Sequence, residues 1–73
     1  MFNFEKLEQR INEVFGSREA FGKELGLNSL EIDSRLVDVT EFSLSEIKKA
    51  VILLNINPQE IPLYFFNAEG VGV

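Results

Sequence analysis

Three short stretches of this chain repeat one arrangement of residues, and that arrangement fixes where helices begin. Leu27-Asn28-Ser29-Leu30-Glu31-Ile32, Phe42-Ser43-Leu44-Ser45-Glu46-Ile47 and Ile56-Asn57-Pro58-Gln59-Glu60-Ile61 each place Asn or Ser three residues ahead of Glu. An Asn or Ser side chain at a helix start accepts a hydrogen bond from a backbone N–H of the first turn. Glu three residues on reaches back to the N–H of the cap. In each stretch an apolar residue stands just outside the cap and another stands four residues inside it, a pair that packs as a hydrophobic staple. Pro58 falls at the first helical position, where its missing N–H costs nothing. Three such starts in 73 residues, with no alternating strand pattern between them, predict an all-α fold.

The remaining elements follow from apolar spacing. Phe4, Leu7, Ile11 and Val14 recur at helical intervals, so a first helix is expected from a cap at Asn3 to about Phe15, ended by Gly16. Ser17 caps a second helix, with Ala20, Phe21 and Leu25 on one face. Gly22 lies inside it and should cost about 1 kcal/mol relative to Ala. Close contact with the next helix would justify it. Gly26 stops the second helix in a left-handed turn. Leu27 is expected as a buried hinge, and the third helix buries Ile32 and Leu36. Val37 to Glu41 is expected as a loop, extended around Val39 and Thr40. The fourth helix spans about Leu44 to Leu54 and buries Ile47, Ala50 or Val51, and Leu54. A short fifth helix opens at Pro58, with Pro62 in its first turn or at its end. Some of Leu63, Tyr64, Phe65 and Phe66 should fold back as a lid, since three adjacent aromatic side chains cannot all point inward. Phe4, Phe15, Phe21 and Phe42 are expected in the core. The expectation is one domain over residues 1–67 and a frayed tail over 68–73.

Composition narrows the function classes. A domain this small buries only about 60% of its unfolded surface, and seven Phe within 45% hydrophobic residues suffice for one core. There is no Cys and no His, which removes thiolate and imidazole metal ligands and the commonest general base. Lack of Cys fits a reducing cytoplasm. The apolar run Ala50 to Leu54 is far below the roughly 20 residues that span a bilayer, and the N-terminal MFNFEKLEQR lacks the basic start and apolar block of a signal peptide. Carboxylates such as Asp33 and Glu41 come with no glycine-rich phosphate loop, ligand set or activated nucleophile, so no enzyme, metal, cofactor or small-molecule substrate is expected. Seven basic against twelve acidic side chains give a net charge of -5, the wrong sign for a typical nucleic-acid module.

Helix, three- or four-residue turn with Gly, helix is the helix-turn-helix pattern, here over Ser17 to Leu36. Phe15-Gly16-Ser17, Phe21, Leu25-Gly26-Leu27, Ile32, Leu36, Glu46-Ile47…Ala50…Leu53-Leu54-Asn55-Ile56 and Glu60-Ile61-Pro62…Tyr64-Phe65-Phe66 together cover nearly the whole chain. On these residues the chain resembles the small Cro/CI-type helix-turn-helix regulators of temperate phages. It is closest in character to phage antirepressor, or modulator of repression, proteins. The resemblance implies a compact five-helix bundle with a helix-turn-helix core of the lambda-repressor-like kind, in a bacterial cytoplasm, acting in a lysis/lysogeny switch.

The pattern departs from a DNA reader in the third helix. Between Asn28 and Glu41 stand Glu31, Asp33, Asp38 and Glu41 against one base, Arg35. The outward positions are expected to be Asn28, Ser29, Leu30, Asp33, Ser34 and Val37. Two readings stay open. In the first, an antirepressor uses Leu30, Asp33, Ser34, Val37 and Asp38 to cover the basic DNA-reading domain of a partner repressor. In the second, a Cro-like repressor reads bases with Asn28, Ser29 and Ser34 while Arg18, Arg35, Lys48 and Lys49 hold phosphates.

Overall fold

In the computed structural model, which describes residues 3–66, the predicted starts at Asn28 and Ser43 are both closed capping boxes. Asn28 Oδ1 accepts from Glu31 N–H at 2.8 Å and Glu31 Oε1 accepts from Asn28 N–H at 2.9 Å, opening α3 (Ser29–Leu36). Ser43 and Glu46 repeat the exchange at 3.1 and 3.0 Å, opening α4 (Leu44–Leu53). Before them lie α1 (Glu5–Phe15), where Asn3 Oδ1 accepts from Glu5 N–H at 2.8 Å, and α2 (Arg18–Leu25), capped by Ser17.

The third start differs. Asn57 Oδ1 accepts from Gln59 N–H at 3.0 Å, while Glu60 N–H donates to the Asn57 carbonyl at 2.8 Å. Pro58–Glu60 is therefore a tight 3-10 turn, and the helix proper, α5 (Ile61–Phe65), begins after it. Pro62 is the reason: it has no N–H for the Pro58 carbonyl, which accepts from Ile61 N–H instead.

Three of the helices stop by one pattern. After α2 the N–H groups of Gly26 and Leu27 return to the carbonyls of Lys23 and Gly22; after α3 those of Asp38 and Val39 return to Arg35 and Ser34; after α4 those of Asn55 and Ile56 return to Ile52 and Val51. Each is a Schellman closure around one left-handed residue, at φ +82° for Gly26, +61° for Asp38 and +52° for Asn55. Residues 37–40 are accordingly wound back on α3 rather than extended, because Ser34 O captures the N–H groups of both Val39 and Thr40.

α1 packs on α2 and α5, and α2 packs on α3 and α4. Leu7 and Ile11, Phe21, Ile32, Ala50 and Leu54 are fully buried, with Phe4, Leu36, Ile56 and Phe65 nearly so. Among the described residues there is no strand. Five expected core positions are corrected. Val14 is exposed, because the Phe15 ring, 5.6 Å from Phe21, takes the last inward place on α1. Phe15, Phe42, Leu27 and Ile47 are half-buried at the core edge. Phe42 stands edge-on to Phe4 at 5.5 Å and to Phe65 at 5.4 Å. Of the aromatic run, Phe65 turns inward, Tyr64 lies half-buried beneath the Lys6 ammonium, and Phe66 is exposed. The expected tail over 68–73 and the boundary at 67 lie outside the described residues.

Gly22 is where α2 and α3 meet. A Cβ built there would stand 3.0 Å from Ile32 Cβ and 3.1 Å from its Cγ2. Gly22→Ala gains about 1 kcal/mol of helix propensity but forces the two helices apart at a cost of about 1–3 kcal/mol. Urea denaturation should register a net loss. Asn55→Val, which puts a β-branched side chain at positive φ, should cost about 1–2 kcal/mol in the same assay.

Candidate interaction surface

The register of α3 follows from Ile32 and Leu36 facing the core. Leu30 is two residues from Ile32, about 200° around the helix, and is 77% exposed. Asn28, Ser29 and Glu31 share its exposure. Val37 is 55% and Val39 is 73% exposed, so three aliphatic side chains stand in water along α3 and its closing turn. Around them lie the carboxylates of Glu31, Asp33, Asp38 and Glu41.

The six positions expected to face outward divide into two groups. Asn28, Ser29, Leu30 and Val37 are exposed; Asp33 and Ser34 are half-buried, as is Asp38 beyond them. Asp33 Oδ1 accepts from Arg18 Nη1 at 2.9 Å, and Arg18 Nη2 also pairs with Glu8. One guanidinium therefore joins α1, α2 and α3. The hydrogen bond to Asp33, followed by the nearby negative charge, holds Arg18 above its ordinary pKa against the pull of desolvation.

Arg35 is more enclosed. Its Nε donates to Glu46 Oε1 at 2.7 Å and its Nη2 to Oε2 at 3.2 Å, a bidentate pair with the two side chains 17% and 15% exposed. Its Nη1 donates to the Glu31 carbonyl at 3.3 Å. Both arginines that the DNA-reading alternative places over phosphates thus already hold carboxylates. Lys48 and Lys49 are exposed on α4.

Sequence reasoning missed these cross-helix bonds, and also that from Arg10 Nε to the Leu54 carbonyl at 2.9 Å. The partners are 10 to 44 residues apart, and no local spacing announces them. It missed a second exposed apolar line as well. Leu44 and Ile52 project from α4 with Lys48 between them, at the four-residue interval that marks one helix face. Among the described residues no helix is long and apolar enough to cross a membrane.

A small all-α bundle with an acidic, partly apolar third helix is the class of protein defined so far, and comparison places it in a family. The family model described as "Protein of unknown function (DUF739)" matches residues 1–68, and the chain belongs to that family. The fold is similar to the solution structure of the modulator of repression of the temperate bacteriophage TP901-1 from Lactococcus lactis. That match has a TM-score of 0.78 and 36% sequence identity, and covers 90% of this chain and 89% of that one. Among curated proteins none matches the chain.

The Arg35–Glu46 pair gives the surface a pH limit. Burial pushes the Glu46 carboxyl up, but the Arg35 guanidinium and the Ser43 N–H overcome it and hold the group below its ordinary value. A carboxylate depressed in the folded state stabilises the fold above its unfolded pKa of about 4.3 and loses that contribution as pH falls through the folded value. Glu46→Gln keeps an oxygen for Ser43 but removes the charge. It should cost about 1–3 kcal/mol at pH 7, with the difference from the unmodified chain shrinking below about pH 4. Denaturation curves from pH 7 to pH 3 would reveal it.

Proposed function

We propose that this chain is a phage antirepressor. It lays the outer face of α3 on the basic DNA-reading domain of a partner repressor and so keeps that repressor from its operator, within a lysis/lysogeny switch. The observation that carries the reading is Leu30, 77% exposed amid acidic side chains on the helix that would otherwise enter a DNA groove. Phosphates would meet repulsion there. A repressor's reading surface, built from basic residues, would meet opposite charge and an apolar centre that desolvates on contact. Leu30 and Val37 supply that centre; Asp33, Ser34 and Asp38 supply polar contacts around it. The likeness to a protein titled a modulator of repression supports the same reading. The DNA-reading alternative would have Asn28, Ser29 and Ser34 read bases with Arg18 and Arg35 as phosphate clamps, although both arginines are engaged within the fold.

The test is competition between this protein and operator DNA for the proposed partner repressor. Leu30→Ala should weaken repressor binding by about 1–2 kcal/mol, roughly five- to thirty-fold. Asp33→Asn leaves Arg18 an acceptor but removes the charge; association should slow, most visibly at low salt. Unchanged binding in both variants removes the surface. A salt-sensitive, sequence-specific shift of operator DNA by the protein alone would establish the DNA-reading function instead.

A further inference from the structure

The outer face of α4 is the electrostatic inverse of the outer face of α3. Leu44, Lys48 and Ile52 run along it, with Leu44 68% and Ile52 79% exposed. Together with Val51, Ile61 and Phe66 they line an open groove of about 480 Å³. Glu46, the one acid of α4, is consumed by Arg35. Among the described residues Arg10, Arg18 and Arg35 hold oxygen partners and Lys6 lies over the Tyr64 ring, whereas Lys48 and Lys49, and Lys23 on α2, have no carboxylate partner. This surface is therefore apolar at its centre and positive at its edge.

A basic repressor face would be repelled from it, so it is not an extension of the proposed repressor surface. The complementary chemistry is carried by the chain itself: exposed Leu30, Val37 and Val39 with Glu31 and Glu41 beside them. We infer that the α4 groove receives the α3 face of a second copy of this chain. The inferred contact is head to tail, one groove receiving one α3 face, so each added copy leaves one face of either kind unused. Such an assembly grows with concentration instead of closing at two. It weakens with salt, since Lys48 and Lys49 face carboxylates across it. If the antirepressor reading holds, self-association hides the surface that meets the repressor, and the two contacts exclude each other. That consequence rests on the proposed function; the contact between copies does not.

Sedimentation of the protein alone, without repressor or DNA, tests the contact. Wild-type chain should show a weight-average mass that rises with concentration past twice the monomer, and falls back in high salt. Two variants altered only at exposed positions separate the faces: Lys48→Glu with Ile52→Glu, and Leu30→Lys with Val37→Lys. Each should keep its helical circular dichroism and stay monomeric. Mixed in equal amounts they should form a pair that stops at twice the monomer mass, because one retains the groove and the other retains the α3 face. A wild-type mass that stays at the monomer value overturns the inference. So does a groove variant that still associates, or a mixture that fails to pair. Loss of repressor binding in the second variant with pairing intact bears on the proposed function alone.

Discussion

The approach of α2 to α3 at Gly22 and Ile32 sets the position of everything on the outer surface. With no side chain at Gly22, the Ile32 Cβ comes within 3.0 Å of where a Cβ from α2 would have stood. Ile32 is fully buried as a result, and the helix register is pinned by it. Pinning Ile32 inward turns Leu30 outward, since the two are separated by about 200° of helix. The most exposed aliphatic side chain of α3 is thus a geometric partner of its most buried one. Arg18 reinforces the same arrangement from the other side by bonding to Asp33 on α3 and Glu8 on α1.

The arginines explain how an acidic chain keeps so small a fold together. Arg10 ties α1 to the end of α4, Arg18 ties three helices, and Arg35 ties α3 to α4. Exposed ion pairs such as those of Arg18 contribute little individually. The Arg35–Glu46 pair is more enclosed, and its carboxylate serves twice, as salt-bridge partner and as the returning arm of the Ser43 capping box. Spending the arginines internally has a consequence outside. It leaves lysines as the cations facing water on α4 and, Lys23 at its start aside, carboxylates as the charges facing water around α3.

What was legible in the sequence was local. Asn28 with Glu31 and Ser43 with Glu46 announced two helix starts because a capping box is satisfied within four residues. Gly22 announced a close approach because a glycine inside a helix needs a packing reason, and the register of α3 followed from Ile32 and Leu36. The third start was legible only in part: Asn57 does cap, but Pro62 diverts the turn into 3-10 geometry. Asp38 concealed the wound turn after α3, since Asp takes a left-handed conformation less often than Gly and the loop looked extended through Val39 and Thr40. Val14 fits the periodicity of α1 yet stays in water, because periodicity names a face and not how far a neighbour reaches along it. The engagement of Arg18, Arg35 and Arg10 depends on partners that only the folded chain brings near, and with it the character of the candidate surface.

Leu27 and Ile56 each belong to two helices at once. Leu27 closes α2 through its N–H to Gly22 and stands just before the cap of α3; Ile56 closes α4 through its N–H to Val51 and stands just before Asn57. Neither joint has a spare residue, so its length is a fixed quantity of the architecture. Insertions or deletions there would break a stop and a start together. Val39 occupies the equivalent place after α3 but is exposed, and three residues separate it from the cap at Ser43. Length variation among related chains should therefore collect between 39 and 43, beside the face of α3, where one added residue can reshape recognition without disturbing the bundle.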